Sequence, residues 1–527
     1  MSERQHKCGR HTPTAIRIRQ QLSQLQTELK SATSDRIQTL IEQLEDETIV
    51  CRSCEAKEKH SLKEEKNEFL SGSDGSDTMA EENNNETEIL ENQHAQALRN
   101  FLLGVLAFTV VFSLLCELTE NGRFDLRLGM IWWNFRQLPI TMVAWCGMFA
   151  WSVGCYRMFE FWTEHTQPID LRHSVAYGCL AGLYLLCYLC APVYFILHFD
   201  LEPACSFIIN CEQMRLYMKV HSFIRECAPR ALAIQKKRAH AKKEDLETDE
   251  STTAFLPNDV TICPPFEKYW YFLWAPTLLY RDEYPRTHST NWDKVWRHLA
   301  EGFGCIVASN YIMVYCVQQR LQNFGPEHAT LAFGVRWNLE CGVAGWTLCA
   351  LLFWGLVHHW GNMWCELMRF ADRHYYNDWW NSKRMASFYR DWNLVVYEWL
   401  YEYVLKDVVR LLPQSVRRAK VYGTVAVFFV SALAHEYSFI TGFRLFVPVM
   451  FALYWTCGPM LFFLSRVVRM DNGWNVWMFA NLCFGNGLFL AMYSREWYAR
   501  QNCQPVYEGI WHYVIPLSWT CEQRIPQ

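Results

Sequence analysis

The 527-residue chain lacks most of the signatures by which soluble enzymes disclose their chemistry. No G-x-G-x-x-G, no G-x-x-x-x-G-K-[ST] and no H-E-x-x-H occurs, which removes the sequence grounds for a dinucleotide fold, a P-loop and a metalloprotease helix. Cys51 and Cys54 form a C-x-x-C near the N-terminus with no second pair at zinc-finger spacing. No basic stripe with interleaved aromatics appears, and the formal net charge is -4, so nucleic acid is not an expected partner. No N-terminal signal peptide is expected, and insertion into a membrane would be directed by the first internal span. Internal repeats of the transporter kind are absent too. No resident metal and no tightly held cofactor is expected.

What the chain has is apolar surface. Hydrophobic residues make up 51% and aromatics 16%, with 24 Trp, 25 Tyr and 33 Phe. The mean hydropathy is nevertheless only -0.09, because a polar N-terminal segment dilutes it. Many of the 22 Cys lie inside apolar runs (Cys146, Cys179, Cys187, Cys190, Cys349), where cysteine behaves as a small hydrophobe.

The organisation follows from where charge is missing. Residues 1–55 are read as a cytosolic amphipathic segment. Leu22, Leu25, Leu29, Ile37, Leu40, Ile41 and Leu44, within Ile16–Ile49, recur at helical spacing, for docking on the chain itself or for self-association. Residues 56–97, with SGSDGSD and EENNNETE, read as a disordered linker. A membrane domain is expected over 98–500 and a short tail over 501–527. Runs free of Asp, Glu, Lys and Arg occupy Phe101–Cys116, Gln137–Tyr156, His173–Phe199, Gly302–Gln319, Cys341–Cys365, Val421–His435, Leu445–Ser465 and Gly473–Ser494. Most approach the length needed to cross about 30 Å of hydrocarbon as helix. Ala204–Phe223 carries Glu212, Arg215 and Lys219, so one of its faces must meet protein or water. The expectation is an all-α polytopic membrane protein of about nine spans. Phe388–Leu411 is periodic but too charged to span, and reads as an interfacial or cavity-lining helix.

Lys/Arg bias places Arg225–Arg297 and Arg369–Lys420 on the cytosolic side. An odd number of spans then puts the N-terminus in the cytosol and the C-terminus in the lumen. Cys503 and Cys521 would face an oxidising compartment, which favours a disulfide over two unpaired thiols.

Four clusters carry polar chemistry within this apolar frame: Leu273–Arg286, His374–Asn381 (HYYNDWWN), Phe388–Asn393 (FYRDWN) and the segment Val421–Tyr437 with His435 and Glu436. An ionisable residue kept inside a span is a functional hypothesis by default. The plainer alternative for His435 is a helix-end histidine bonded to a carbonyl. His358 and His359 also fall in a span, with a structural or cavity-lining role. Trp379, Trp380 and Trp392 would individually be read as interface anchors.

Together the blocks LWAPTLLYRDEYPR, YYNDWWN, YRDWN, ALAHEY and YSREWYARQNC…SWTC closely resemble the sterol O-acyltransferases, of the membrane-bound O-acyltransferase superfamily. The resemblance runs from about Leu98 to Cys521, with diacylglycerol acyltransferases the nearest alternative. It implies that fold, an endoplasmic-reticulum membrane location, a homodimer or homotetramer, acyl-CoA and a sterol as substrates, and no cofactor. It also implies a role for the motif Tyr375, Tyr376, Asp378, Trp379, Trp380 and Asn381. His435 matches the family's base and Asn393 its second active-site residue; Arg390, Trp392, Asn393, Tyr397, Lys420 and Ser431 fall on the acyl-CoA pocket. His94 aligns loosely with a histidine near a sterol site. The family usually has a second His four residues after the Asn, and this chain has Tyr397. An unperturbed tyrosine, of pKa about 10, is a poor base near neutral pH, which favours a single base at His435.

Overall fold

The computed structural model describes residues 110–522 apart from 120–121, 124, 166–170, 248–262, 414–415, 417, 468–473, 507 and 510, together with Asn100, Gly104, Ala107 and Phe108. The amphipathic segment 1–55, the linker 56–97 and His94 lie outside the described residues.

The described chain is helical throughout its regular elements. Six helices are long and apolar enough to span a bilayer: Gly129–Glu164, Gly178–His198, Trp292–Leu321, Leu331–Met368, Ala419–Phe443 and Trp474–Asn502. Two shorter apolar helices, Val110–Thr119 and Val449–Ser465, fall on the first and the seventh expected runs. In chain order we label α1 Val110–Thr119, α2 Gly129–Phe135, α3 Leu138–His165, α4 Leu171–His198 and α5 Pro203–Glu247. Then come α6 Phe266–Trp274, α7 Trp292–Leu321, α8 Leu331–Met368, α9 Met385–Asp391 and α10 394–411. The last three are α11 Ala419–Phe443, α12 Val449–Ser465 and α13 Trp474–Asn502. Leu331, Leu339, Val343 and Val476 stand exposed on these helices, as a hydrocarbon surround would require.

Helix α5 is the exception that the sequence flagged. Its charges are met by protein. Glu212 takes the indole N–H of Trp145 at 2.8 Å and pairs with Arg215, whose guanidinium also donates to the carbonyl of Leu273 at 3.0 Å. Lys219 is 1% exposed and donates to the carbonyls of Phe272 and Ala275 at 2.5 and 2.6 Å. A buried ammonium without such acceptors would be costly. Here it anchors the start of the APTLLYRDEYPR loop. Farther along, Tyr284 closes that loop, accepting from the Arg281 N–H and donating to the Leu279 carbonyl; burial pushes its phenol above the usual range. Tyr156, Phe159, Phe223, Tyr269 and Phe272 pack the core among α3, α5 and α6.

Helices α8 and α13 approach backbone to backbone. A Cβ at Gly345 would lie 2.4 Å from the Asn486 carbonyl oxygen, and one at Gly487 would lie 2.7 Å from Gly342 Cα. Small residues at such a crossing are how helices pack closely when no hydrophobic difference drives them together.

Past the apolar run, α13 continues because its charges are buried against the tail. Glu496 is 0% exposed; it accepts from Arg500 and from the backbone N–H groups of Leu517 and Ser518. Arg495 donates to the carbonyl of His328 at 2.9 Å. Cys503 and Cys521 are joined as a disulfide with Cα atoms 5.2 Å apart.

One expectation about helix continuity is corrected. Phe388–Leu411 is not a single helix: α9 ends at Asp391 and α10 starts at Leu394. Asn393 has φ -148° and ψ 89°, and its Oδ1 accepts from the Val396 N–H at 3.2 Å, a side-chain N-cap that starts a new helix.

Candidate active site

Helix α11 extends eight residues beyond His435, so the histidine lies inside the helix rather than at its end. Three neighbours fix the rotation of α11. Asn210 of α5 donates to Thr441 Oγ1 at 2.8 Å and to the Ser438 carbonyl at 3.2 Å. Tyr437 donates to Gln213 Oε1 at 2.6 Å. Glu436 is buried and receives the Phe451 N–H at 2.8 Å and the Tyr493 hydroxyl at 3.2 Å. The Glu436 carboxylate therefore ties α11 to α12 and α13, and the imidazole of His435 is oriented by other groups.

Those groups are a carbonyl and a ring. His435 Nδ1 lies 2.7 Å from the carbonyl oxygen of Ser431, one turn earlier. A carbonyl can only accept, so Nδ1 carries the proton. In the neutral ring Nε2 is then left with a lone pair. Tyr454 of α12 stacks on the imidazole, with centroids 4.1 Å apart and planes at 20°. The ring is half-buried and locked in tilt and in tautomer. Ser431 also places its hydroxyl 3.4 Å from Nδ1. The plainer alternative, a carbonyl-bonded histidine, is present as geometry and sets which nitrogen can act.

At the break between α9 and α10, the two Trp–Asn clusters are stitched together. The Leu394 N–H donates to the Tyr375 carbonyl at 2.8 Å, and the Asn377 N–H to that of Asp391 at 2.9 Å. Asn377 Nδ2 also donates to Asp391 Oδ1 at 3.0 Å, the oxygen that receives Arg390 Nε at 3.1 Å. Trp392 is packed in an aromatic cluster, 4.2 Å from Phe353 and 4.8 Å from Trp379 by ring centroids. With its oxygen held as a cap, Asn393 keeps its amide N–H groups, which make no hydrogen bond among the described residues. The break and α11 meet where Tyr389 abuts Phe428, two turns before His435, with centroids 5.2 Å apart.

The motif Tyr375–Asn381 divides by burial. Tyr375 and Trp379 are core residues, whereas Asp378 and Asn381 are exposed at a short 3₁₀ turn. Tyr376 reaches His358, with its hydroxyl 2.7 Å from Nδ1. Tyr397 stacks on Tyr401 at 6.0 Å. Lys420 is exposed at the start of α11, fifteen residues before His435, or about 22 Å along the helix. Arg225, Glu226, Pro229, Glu402, Tyr403 and Arg410 line an open polar cleft, and none of the candidate residues borders it.

A family profile described as MBOAT, membrane-bound O-acyltransferase family, matches residues 127–495. The chain belongs to this family. Sterol O-acyltransferase 1 of Cricetulus griseus is 33% identical over 441 residues, 82% of this chain and 76% of the relative. Sterol O-acyltransferase 2 of Homo sapiens is 33% identical over 436 residues, covering 82% and 78%. The Mus musculus sterol O-acyltransferase 2 is 31% identical over 439 residues, with 82% and 78% covered. The protein is thus a multi-pass membrane acyltransferase. Arg390 to His435 all fall within the stretch that the family profile matches, and Cys503 and Cys521 fall beyond it.

Sequence reasoning missed two residues around His435 and one in a separate histidine cluster. Tyr454 is one aromatic in an apolar run, with nothing to tie it to His435. Tyr493 opens the motif YSREWYARQNC, whose residues do not signal its bond to Glu436. His298 lies 61 residues before its partner His359.

Proposed function

We propose that this acyltransferase moves a long-chain fatty acyl group from acyl-CoA to the 3-hydroxyl of cholesterol or a related sterol, giving steryl ester and CoA. The observation that carries the mechanism is the 2.7 Å bond from His435 Nδ1 to the Ser431 carbonyl, which leaves Nε2 as the acceptor. In this reading Nε2 takes the hydroxyl proton as the sterol oxygen attacks the thioester carbonyl. The carbonyl π pair moves onto oxygen, and an Asn393 N–H donates to the developing oxyanion. Collapse re-forms the carbonyl, breaks the C–S bond and returns the proton from Nε2 to the departing thiolate. Every atom is accounted for, and no cofactor enters.

Substrate partitioning requires the two reactants to meet inside the membrane. A sterol arrives from the bilayer, while CoA phosphates stay in cytosolic water. The 22 Å or so between Lys420 and His435 suits a donor that enters at the charged end of α11 and extends along it. Arg390, with donors left over from its pair with Asp391, and Lys420 would hold phosphate. Trp392 and Ser431 would line the acyl-CoA path, and Tyr397 would hydrogen-bond the donor without acting as a base. The location in this proposal is the endoplasmic-reticulum membrane, with the N-terminus cytosolic and the disulfide-bearing tail luminal, and the working form is a homo-oligomer. Purified protein given labelled oleoyl-CoA with a sterol, with diacylglycerol or with neither tests the acceptor: sterol alone should be acylated, and acylation of diacylglycerol in its place would overturn the assignment.

A further inference from the structure

Three histidines that the sequence keeps apart meet between α7 and α8. His298 lies in the second turn of α7; His358 and His359 lie on a π-helical turn of α8, Trp354–Trp360. All three are buried, and a ring nitrogen of each lies within 4.8 Å of the other two. The wider π-helical turn is a local departure of the kind found at functional sites. The helices come close here: a Cβ at Gly355 would be 3.3 Å from Cys305 Cβ, and one at Gly302 would be 3.6 Å from His359 Cβ.

The spacings have a meaning in coordination chemistry. His298 Nδ1 and His359 Nδ1 are 3.2 Å apart, and Glu301 Oε2 lies 3.4 Å from the same His359 nitrogen. Ligand atoms held about 2.0–2.1 Å from a tetrahedral zinc ion lie about 3.3–3.4 Å from one another. In such a site His358 would bind through Nε2, because its Nδ1 is engaged by Tyr376 at 2.7 Å. That arrangement, one imidazole nitrogen on the ion and the other on an outer oxygen, fixes the tautomer of a metal-bound histidine. A further polar group faces the same nitrogen. The Asn362 side-chain amide is 3.4 Å from His358 Nδ1, and its Oδ1 is buried with no partner. Turned over, that amide would place the orphan acceptor toward an Nδ1–H that metal binding at Nε2 requires. Glu301, with 23% of its side chain exposed, gives the ion a way in.

We propose that His298, His358 and His359 bind one divalent cation of the zinc class, with Glu301 beside His359 at its mouth. Three imidazoles suit zinc and leave a fourth position for water or for the Glu301 carboxylate. Its outer contact, Tyr376, belongs to the segment whose backbone holds the α9–α10 break, so the ion fastens α7 to α8 and braces that segment. The inference stands independently of the His435 mechanism.

The test uses the full chain, carrying a tag without histidines and purified free of chelators. Elemental analysis should find about one zinc per chain, lost in the His298→Ala/His359→Ala variant while it elutes as the same monodisperse species. Should that variant fail to fold, wild-type protein stripped with chelator and titrated with cobalt should develop the visible bands of a tetrahedral nitrogen–oxygen site and should regain thermal stability on zinc addition. Equal zinc in wild type and variant would overturn the proposal. So would stripped, monodisperse wild type that takes up neither cobalt nor zinc.

Discussion

His435 donates its Nδ1 proton to the carbonyl oxygen of Ser431, 2.7 Å away and one helical turn earlier. Because a carbonyl has no proton to give, this single contact decides which ring nitrogen keeps its lone pair. In the proposed mechanism the backbone of α11 performs the orienting task that a carboxylate performs in many histidine bases. Glu436, next in the chain, is occupied with Phe451 and Tyr493. Replacing Ser431 with Ala should therefore keep the tautomer, since the carbonyl remains, and should lower turnover much less than replacing His435.

Asn393 caps α10 through Oδ1, and in the proposed mechanism its amide also donates to the oxyanion. Asn393→Ala should lose both, costing about 1 kcal/mol of stability from the cap and about 10²–10³-fold in ester formation from the missing donor. Asn393→Asp keeps an acceptor for the Val396 N–H but removes the donor. It should melt near wild type and still be poorly active, with acyl-CoA binding partly kept in a filter assay. Full activity in Asn393→Asp would reduce the residue to a cap.

Two glycines two residues apart on α13 should behave in opposite ways. A methyl at Gly487 would run into the backbone of Gly342, whereas one at Gly485 would meet nothing within 4 Å. Gly487→Ala should cost about 1–3 kcal/mol through overpacking. Gly485→Ala should be neutral or slightly stabilising. Melting temperatures of the two variants in detergent decide it; equal effects would mean that α8 and α13 can part without loss.

Breaking the Cys503–Cys521 bond should destabilise the tail by about 3 kcal/mol, on the chain-entropy account for a loop of this length. A double Cys→Ala variant should melt lower and keep its rate per folded molecule. Thiol labelling of unreduced wild type should leave both sulfurs unmodified. Labelling of either would contradict the bond.

Deletion of residues 1–60 should lower the number of subunits per particle, measured by light scattering, if the amphipathic sequence within Ile16–Ile49 assembles the complex. An unchanged number of subunits per particle would contradict that assignment.

Much of the fold was legible because hydrocarbon imposes a length and forbids charge, so six of the expected runs became long helices and two became shorter ones. The charges of Ala204–Phe223 were legible as needing partners, but the partners (Trp145 and the carbonyls of Phe272 and Ala275) come from segments that only folding brings near. The break at Asn393 was hidden, because apolar periodicity runs straight through it and a cap is a local dihedral choice. The motif residues around Tyr375 and Trp392 were legible through resemblance, yet not their division into core and surface. His298 gave no signal at all. Metal-type clusters built from distant helices leave no spacing pattern in the chain.

The central claim is that His435 is the sole general base for acylation of a sterol. It is tested most directly by running labelled oleoyl-CoA and cholesterol with wild type and His435→Ala side by side, each at matched amounts of monodisperse protein. The account predicts labelled steryl ester from wild type and none above background from the variant. Retention of more than about a tenth of the wild-type rate, a barrier change below ~1.4 kcal/mol, would remove His435 from the mechanism.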